Sequence, residues 1–131
     1  MPGAPILVID DDPDVLSTVV DILEFEGYPV ESATNGAEGL KVLERTSPGL
    51  ILLDMRMPVL SGWDFARILK ERGISFPILV MTAAQDAHRW ADEIGAQGYI
   101  SKPFELPDLL AAVEDFRRPG NNGSTGPLKI N

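Results

Sequence analysis

The sequence predicts an α/β domain, in which a five-stranded parallel sheet carries five helices on its two faces. Short aliphatic runs alternate along the chain with longer segments whose apolar residues recur at helical spacing. Glycine or proline stands between most of these segments, as expected for the turns that connect them. Regular alternation of strands and helices is typical of βαβ units with right-handed crossovers, which bury a parallel sheet between two helical layers.

Length and composition indicate a single globular domain. The chain has 131 residues, of which 44% are hydrophobic and 24% are charged. It has no apolar run that could span a bilayer and no basic-then-apolar signal sequence at its start. The absence of cysteine excludes a disulfide framework, a thiolate nucleophile and a zinc–thiolate site, and it fits the cytoplasm. A net charge of −9 argues against binding to nucleic acid and suits a site that collects a hard cation.

The first half of the chain contains two predicted strands and two predicted helices. Asp12 precedes Pro13 and is predicted to cap the first helix, because proline suits the first helical position. Val19, Leu23 and Phe25 belong to the apolar stripe of that helix. The second strand is short and polar, which favours an edge position in the sheet. The predicted bounds of these elements are 4–9, 13–26, 28–33 and 37–45.

The second half begins with the predicted central strand. Leu50 to Leu53 are four consecutive aliphatic residues, which indicates a strand buried on both faces, and the run ends at Asp54. Two further strands and three helices follow, and the helix at 86–94 has the thinnest apolar face. The predicted bounds are 50–53, 63–72, 77–81, 86–94, 97–101 and 106–116.

The composition changes after the last predicted helix. Residues 119–131 are rich in glycine, proline and asparagine, which predicts a flexible linker or tail after a domain of residues 1–118. Leu128 and Ile130 are apolar exceptions that can dock locally.

Polar side chains follow four of the predicted strands. They are Asp10 and Asp11 after the first strand, Asp54 after the third, Thr82 after the fourth and Lys102 after the fifth. In an open parallel sheet the carboxyl ends of the strands meet at one rim, where ligands bind. Three carboxylates at this rim would hold a hard divalent cation, and a carboxylate beside that cation can attack phosphorus. Lys102 and Thr82 would then contact the remaining phosphoryl oxygens.

These residues stand in motifs that resemble the receiver domain of two-component response regulators, over about residues 5–117. The motifs are Ile-Asp-Asp-Asp-Pro-Asp after the first strand, Leu-Leu-Asp-Met-Arg-Met-Pro-Val-Leu-Ser-Gly around the third, Val-Met-Thr-Ala at the fourth and Tyr-Ile-Ser-Lys-Pro-Phe at the fifth. The resemblance implies a flavodoxin-like, doubly wound sheet with the strand order 2-1-3-4-5. It also implies a signalling domain that phosphorylates and dephosphorylates itself, rather than an enzyme.

The resemblance assigns roles to the residues at the rim. Asp54 would accept a phosphoryl group from the phosphohistidine of a sensor histidine kinase or a phosphotransfer protein. Mg²⁺, for which Mn²⁺ can substitute, would be held by Asp10, Asp11, Asp54 and the backbone carbonyl of Arg56. Lys102 would contact the phosphoryl group, and its peptide bond to Pro103 is expected to be cis.

The resemblance also implies a switch. Thr82 would supply a hydroxyl that moves toward the phosphoryl group, and Tyr99 an aromatic ring that turns inward on activation. The signal would pass to an output domain, or to a second copy, through the face of the fourth helix, fifth strand and fifth helix. No direct contact with nucleic acid or a membrane is expected of this domain, which would work in the cytoplasm. Arg56 and Ala84 flank the site at positions that vary in the family.

Two other functions stay open. One is phosphoester hydrolysis of the haloacid-dehalogenase type, for which Asp10 and Asp12 have the Asp-x-Asp spacing, although Asp14 stands where threonine or valine is needed. The other is a binding module that acts without phosphorylation. Release of inorganic phosphate from monoesters would indicate the hydrolase, whereas failure to form a phosphorylated protein would indicate the binding module.

Three ring-bearing residues receive structural interpretations. His88 is expected to be solvated on a helix surface. Trp63 is expected to anchor the third helix, and Trp90 to serve packing or contact with a partner.

Overall fold

The computed structural model describes residues 3–83, 85–117 and 128–130. Its elements are β1 (Ile6–Ile9), α1 (Pro13–Phe25), β2 (Val30–Ala33), α2 (Gly36–Leu43), β3 (Leu50–Asp54), α3 (Gly62–Glu71), β4 (Ile78–Ala83), α4 (Ala87–Ile94), β5 (Gly98–Lys102), α5 (Leu106–Arg117) and β6 (Leu128–Ile130). Neighbouring strands are parallel, and the sheet order is β2-β1-β3-β4-β5-β6. This confirms the predicted α/β class, the strand order 2-1-3-4-5 and the edge position of β2.

Two apolar layers cover the two faces of the sheet. Every residue of β1 and β3 is buried, as predicted for strands that are covered on both faces. Successive side chains of a strand point to opposite faces. Val8 and Leu52 therefore pack toward α1 and α5, while Ile9 and Leu53 pack toward α2, α3 and α4. We call these the α1/α5 side and the α2–α4 side of the sheet.

The first helix begins as predicted. The Asp12 side chain accepts hydrogen bonds from the backbone N–H groups of Asp14 and Val15, at 2.9 and 3.3 Å, and Pro13 occupies the first turn. No helix in the described part of the chain is both long enough and apolar enough to cross a membrane.

The prediction that Phe25 belongs to the buried face of α1 is wrong. Val19 and Leu23 are buried, but the side chain of Phe25 is 88% exposed. At 3.6 residues per turn, a residue two positions after Leu23 lies on the opposite side of the helix. The apolar stripe of α1 therefore ends at Leu23.

A short sixth strand extends the predicted sheet of five. β6 lies against the outer edge of β5, with Gly98 opposite Leu128 and Ile100 opposite Ile130. It falls in the predicted tail, at the two apolar residues that the sequence singles out. Residues 118–127 and 131 lie outside the described residues, so the division into a domain of 1–118 and a flexible tail of 119–131 stays a prediction.

Candidate functional site

The register of the strands brings the predicted rim residues together. The last pair between β1 and β3 places Asp10, one residue beyond it, level with Asp54. Asp54 itself pairs with Met81, which immediately precedes Thr82. Lys102, the last residue of β5, pairs with the last residue of β4. Parallel pairing thus delivers the ends of four strands to one rim.

Three carboxylates converge at this rim. One oxygen each from Asp10, Asp11 and Asp54 lies within 4.8 Å of the other two. Asp10 is fully buried and Asp54 is only 6% exposed, whereas Asp11 is exposed to solvent. Carboxylate oxygens are the ligands that Mg²⁺ prefers, and a partly exposed cluster leaves room for the waters that Mg²⁺ retains. The donor set therefore fits a hard divalent cation.

Lys102 joins two of these carboxylates. Its Nζ donates a hydrogen bond of 2.7 Å to Asp10 Oδ2 and lies 3.8 Å from Asp54 Oδ1. The Lys102–Pro103 peptide bond is cis, as the resemblance implies. The ammonium group offsets part of the negative charge at the rim, and it stands within reach of any group bound to Asp54.

The pKa of the Asp54 carboxyl group is strongly perturbed. Its pKa is raised from the ordinary value of 3.8 to about 7, chiefly because burial disfavours the charged carboxylate. The neighbouring charge of Asp10 raises the pKa further, Lys102 lowers it, and Asp11 adds a smaller increase. A divalent cation at this rim would favour the ionised carboxylate.

The loop after β3 approaches α3 so closely that glycine is required at the start of the helix. A Cβ atom on Gly62 would stand 2.6 Å from Met55 Sδ and 2.8 Å from the Asp54 carbonyl oxygen, closer than atoms can pack. The Gly62 N–H instead donates a hydrogen bond of 3.0 Å to the Met55 carbonyl. Gly62 thus sets the path of the main chain directly after Asp54.

The same loop makes a tight bend at Val59. This residue has a φ of 72°, which is unfavourable for a β-branched side chain. The Leu60 N–H donates to the Pro58 carbonyl at 2.8 Å and closes a three-residue γ-turn around Val59. The Leu60 carbonyl accepts a hydrogen bond of 3.2 Å from the Gly36 N–H, so the loop is also tied to the start of α2.

Thr82, next to last in β4, reaches the same rim, but its strand position and that of Tyr99 face the α2–α4 side of the sheet. Asp54 and Lys102 continue the strand positions that face α1 and α5, whereas Thr82 continues those that face α2–α4. Tyr99 is already buried on that side, with 5% of its surface exposed. His88 of α4 is exposed, as expected, but its ring also meets the Tyr99 ring edge-on at 5.5 Å.

The structure argues against the Asp-x-Asp arrangement of a hydrolase. Asp10 faces the rim, but the Asp12 carboxylate is engaged as the cap of α1. The Asp12 N–H also donates a hydrogen bond of 2.9 Å to Asp10 Oδ1. Asp10 therefore belongs to the carboxylate cluster at the rim, whereas Asp12 caps α1.

A hollow of about 460 Å³ opens beside the rim on the α1/α5 side. Val15, Val19, Pro103 and Phe104 give it apolar walls, and Lys102 lies at its edge.

Comparison with known proteins identifies the family. The chain matches the response regulator receiver domain family over residues 6–114, which include every rim residue described above. The chain belongs to this family. The receiver domain is thus a signalling module rather than a conventional enzyme, and its acidic pocket with Lys102 is consistent with signalling by aspartate phosphorylation.

A curated relative of this receiver domain is response regulator MprA of Mycobacterium leprae (strain TN). The two are 40% identical over 115 residues, which cover 86% of this chain and 50% of that protein. The chain therefore spans half the length of the curated relatives it matches.

Solved receiver structures share the fold. The Francisella response regulator 1452 receiver domain gives a TM-score of 0.80 at 25% identity, covering 88% of this chain and 97% of that one. Response regulator TrrA from Thermotoga maritima, solved in complex with Mg²⁺–BeF, gives 0.75 at 30% identity, covering 87% and 99%.

The sequence named Arg56 and Trp90 separately but did not predict the contact between them. The Arg56 guanidinium lies over the ring of Trp90, with its carbon 5.3 Å from the ring centroid. Trp90 is 6% exposed, so its packing role is confirmed. The two residues are far apart in sequence and no local pattern links them. Only the folded arrangement of the β3–α3 loop and α4 shows the contact.

Proposed function

We propose that Asp54 accepts a phosphoryl group from the phosphohistidine of a sensor histidine kinase or a phosphotransfer protein, and that Mg²⁺ is required. The observation that carries this proposal is the grouping of Asp54 with Asp10, Asp11 and Lys102 at one rim. The group combines a buried nucleophile, ligands for a hard cation and a fixed positive charge. Family membership supports the histidine kinase as donor and the cytoplasm as the place of action.

Each residue has a part in the proposed reaction. An oxygen of ionised Asp54 attacks phosphorus, and the bond between phosphorus and the imidazole nitrogen breaks with its electron pair left on the ring. Lys102 attracts one phosphoryl oxygen, and the Thr82 hydroxyl donates a hydrogen bond to another. Mg²⁺ supplies charge neutralisation when bound. Its proposed ligands are Asp10, Asp11, Asp54 and the Arg56 backbone carbonyl.

Phosphorylation by a small phosphodonor tests the assignment. With acetyl phosphate and Mg²⁺, we expect intact-mass analysis to show one phosphoryl adduct on the wild type, and none on Asp54→Asn. EDTA should prevent its formation. An adduct that persists in Asp54→Asn would place the acceptor elsewhere, and release of inorganic phosphate from a panel of monoesters would restore the hydrolase alternative.

We further propose that the phosphorylated state is recognised through the face formed by α4, β5 and α5, by an output domain or by a second copy. Thr82 and Tyr99 connect the rim to this face, because both belong to the α2–α4 side and Tyr99 lies against His88 of α4. A hydroxyl drawn toward the phosphoryl group changes the packing beneath the loop after Ala83. One charge-assisted contact then biases two arrangements of the same core.

Amide chemical shifts measured with beryllofluoride, a mimic of the acyl phosphate, test this readout. We expect shifts in α4 and β5 as well as in the loops around the rim, and a smaller α4 response in Tyr99→Ala. Since Tyr99 is already buried, the expected change is a repacking against His88 rather than entry of the ring from solvent. Shifts confined to the loops around Asp10, Asp54 and Lys102 would contradict the route.

A further inference from the structure

A side-chain contact joins the loop after Asp54 to α4. The exposed side chain of Arg56 projects over the buried ring of Trp90, at 5.3 Å from guanidinium carbon to ring centroid. A guanidinium within about 6 Å of a tryptophan centroid is attracted by the negative face of the ring. Arginine forms this contact more often than lysine does, and tryptophan is the most favourable ring.

The tryptophan end of the contact is held firmly. The Trp63 ring of α3 meets Trp90 edge-on, with centroids 4.8 Å apart and planes at 69°. Trp63 Nε1 in turn donates a hydrogen bond of 2.9 Å to Glu93 Oε1 on α4. Contacts from α3 and α4 therefore hold the Trp90 ring in place. When α4 moves, the ring face that contacts Arg56 moves with it.

The arginine end is connected to Asp54 through two peptide bonds. Met55, the intervening residue, is fully buried, and its carbonyl accepts the Gly62 N–H. This main chain has little freedom to absorb a displacement of Arg56. We therefore expect a movement of Trp90 to reach the main chain beside Asp54, and a movement of that main chain to reach α4.

We propose that Arg56 is a positioning residue, whose side chain clamps the β3–α3 loop, residues 55–61, to α4 through its contact with Trp90. This inference rests on the proposed function, in which the Arg56 carbonyl and Asp54 bind Mg²⁺. The clamp holds the loop close to its metal-bound path, so it raises the affinity for Mg²⁺. By linkage, Mg²⁺ strengthens the contact with α4. This route to α4 runs through the β3–α3 loop and is separate from the one through Thr82 and Tyr99.

Calorimetric titration with Mg²⁺ tests the clamp in wild type, Arg56→Met, Trp90→Leu and the double variant. We expect each single change to weaken Mg²⁺ binding by about two- to fivefold, the range that one exposed cation–π contact can supply. The double variant should bind Mg²⁺ no more weakly than the single variant with the lower affinity, because both changes remove the same contact. Arg72→Met, at the C-cap of α3, removes an equal charge and should bind as the wild type does.

Simple electrostatics predicts the opposite sign. Removing a cation next to a metal site favours Mg²⁺, so Arg56→Met would bind more tightly if its charge alone mattered. Tighter binding by Arg56→Met, together with unchanged binding by Trp90→Leu, would overturn the clamp. Trp90→Phe serves if Trp90→Leu does not fold, since it keeps an apolar ring of weaker attraction for a cation.

Fluorescence gives a readout that a merely structural role would not move. In a Trp63→Phe background, Trp90 is the only tryptophan, and Mg²⁺ should change its emission. Arg56→Met in that background should abolish most of the change, while Arg72→Met retains it. An undiminished change in Arg56→Met would refute the proposed coupling.

Failure of the proposed function can be told apart from failure of the clamp. If the wild type bound no Mg²⁺, the proposed metal site would be wrong, but a urea-unfolding cycle of Arg56→Met and Trp90→Leu would still test the contact without metal. We expect the unfolding constants to reveal a coupling of about two- to fivefold. Independent effects of the two changes would refute the clamp itself.

Discussion

The carboxyl group of Asp54 makes the stability of the metal-free protein depend on pH. Its native pKa, about 7, lies above the value of 3.8 expected in the unfolded chain. The native state therefore binds this proton more tightly, and its contribution to stability is greatest below about pH 4. That contribution declines as the pH rises and is lost above about pH 7, because the charged carboxylate is then buried beside Asp10.

Comparison with Asp54→Asn isolates this group from the other carboxylates. In EDTA, we expect the free energy of unfolding of Asp54→Asn, relative to wild type, to rise between about pH 4 and pH 7 by on the order of 2 kcal/mol, because solvent screening reduces the roughly 4 kcal/mol that the full pKa difference implies. Urea denaturation at a series of pH values measures the difference. A difference that stays constant across this range would mean that the Asp54 pKa is not raised on folding.

At the scale of elements, the junction of β3 and α3 tolerates no side chain at Gly62. Gly62→Ala places a Cβ atom against Met55 Sδ and the Asp54 carbonyl, so either the helix or the strand end must move. We expect a loss of roughly 1–3 kcal/mol in the free energy of unfolding, as for other overpacked sites. We also expect slower phosphorylation by acetyl phosphate, because the displaced main chain carries Asp54.

Gly49→Ala is the matched control for this junction. Its Cβ atom would meet the Ala4 Cβ at 3.4 Å, an ordinary contact distance. This variant should unfold and react much as the wild type does. Equal behaviour of the two alanine variants would show that the β3–α3 junction can relax at little cost.

Sequence reasoning captured the rim because its signals are local. The apolar runs Ile6–Ile9, Leu50–Leu53 and Ile78–Met81 each end directly before a rim residue, and parallel pairing makes the strand ends meet. Asp12 and Pro13 likewise mark the start of α1 within two residues. The prediction that Phe25 is buried was wrong because it relied on the apolar character of the residue. Phe25 does not lie on the helix face that Val19 and Leu23 share.

Contacts between distant segments could not be predicted in this way. The stacking of Arg56 on Trp90 and the hydrogen bond from Gly36 to Leu60 depend on how α2 and α4 sit against one loop. The left-handed conformation of Val59 is also contrary to the preference of a β-branched residue, so the sequence argues against it. Such features arise from tertiary packing, which overrides local preference.

At the scale of the whole molecule, the described part of the C-terminal segment is the short strand β6, which pairs with β5 at the edge of the sheet. Deletion of residues 119–131 should leave cooperative unfolding and phosphorylation of Asp54 intact, because β5 keeps its pairing with β4. Amide exchange along Gly98–Ile100 should become faster in the deletion, since β6 no longer covers that edge. Loss of a cooperative melting transition would show that residues 119–131 belong to the folded domain.

The division of the sheet into two sides has a consequence for timing. The hollow beside Lys102 opens along α1, whereas Tyr99 of β5 and Trp90 of α4 lie on the opposite side of the sheet. A partner that contacts α4 without contacting α5 would therefore leave this hollow open. We therefore expect that such a partner does not exclude a phosphodonor that approaches from the α1 side. The bound partner would then respond to each gain or loss of the phosphoryl group without first having to dissociate.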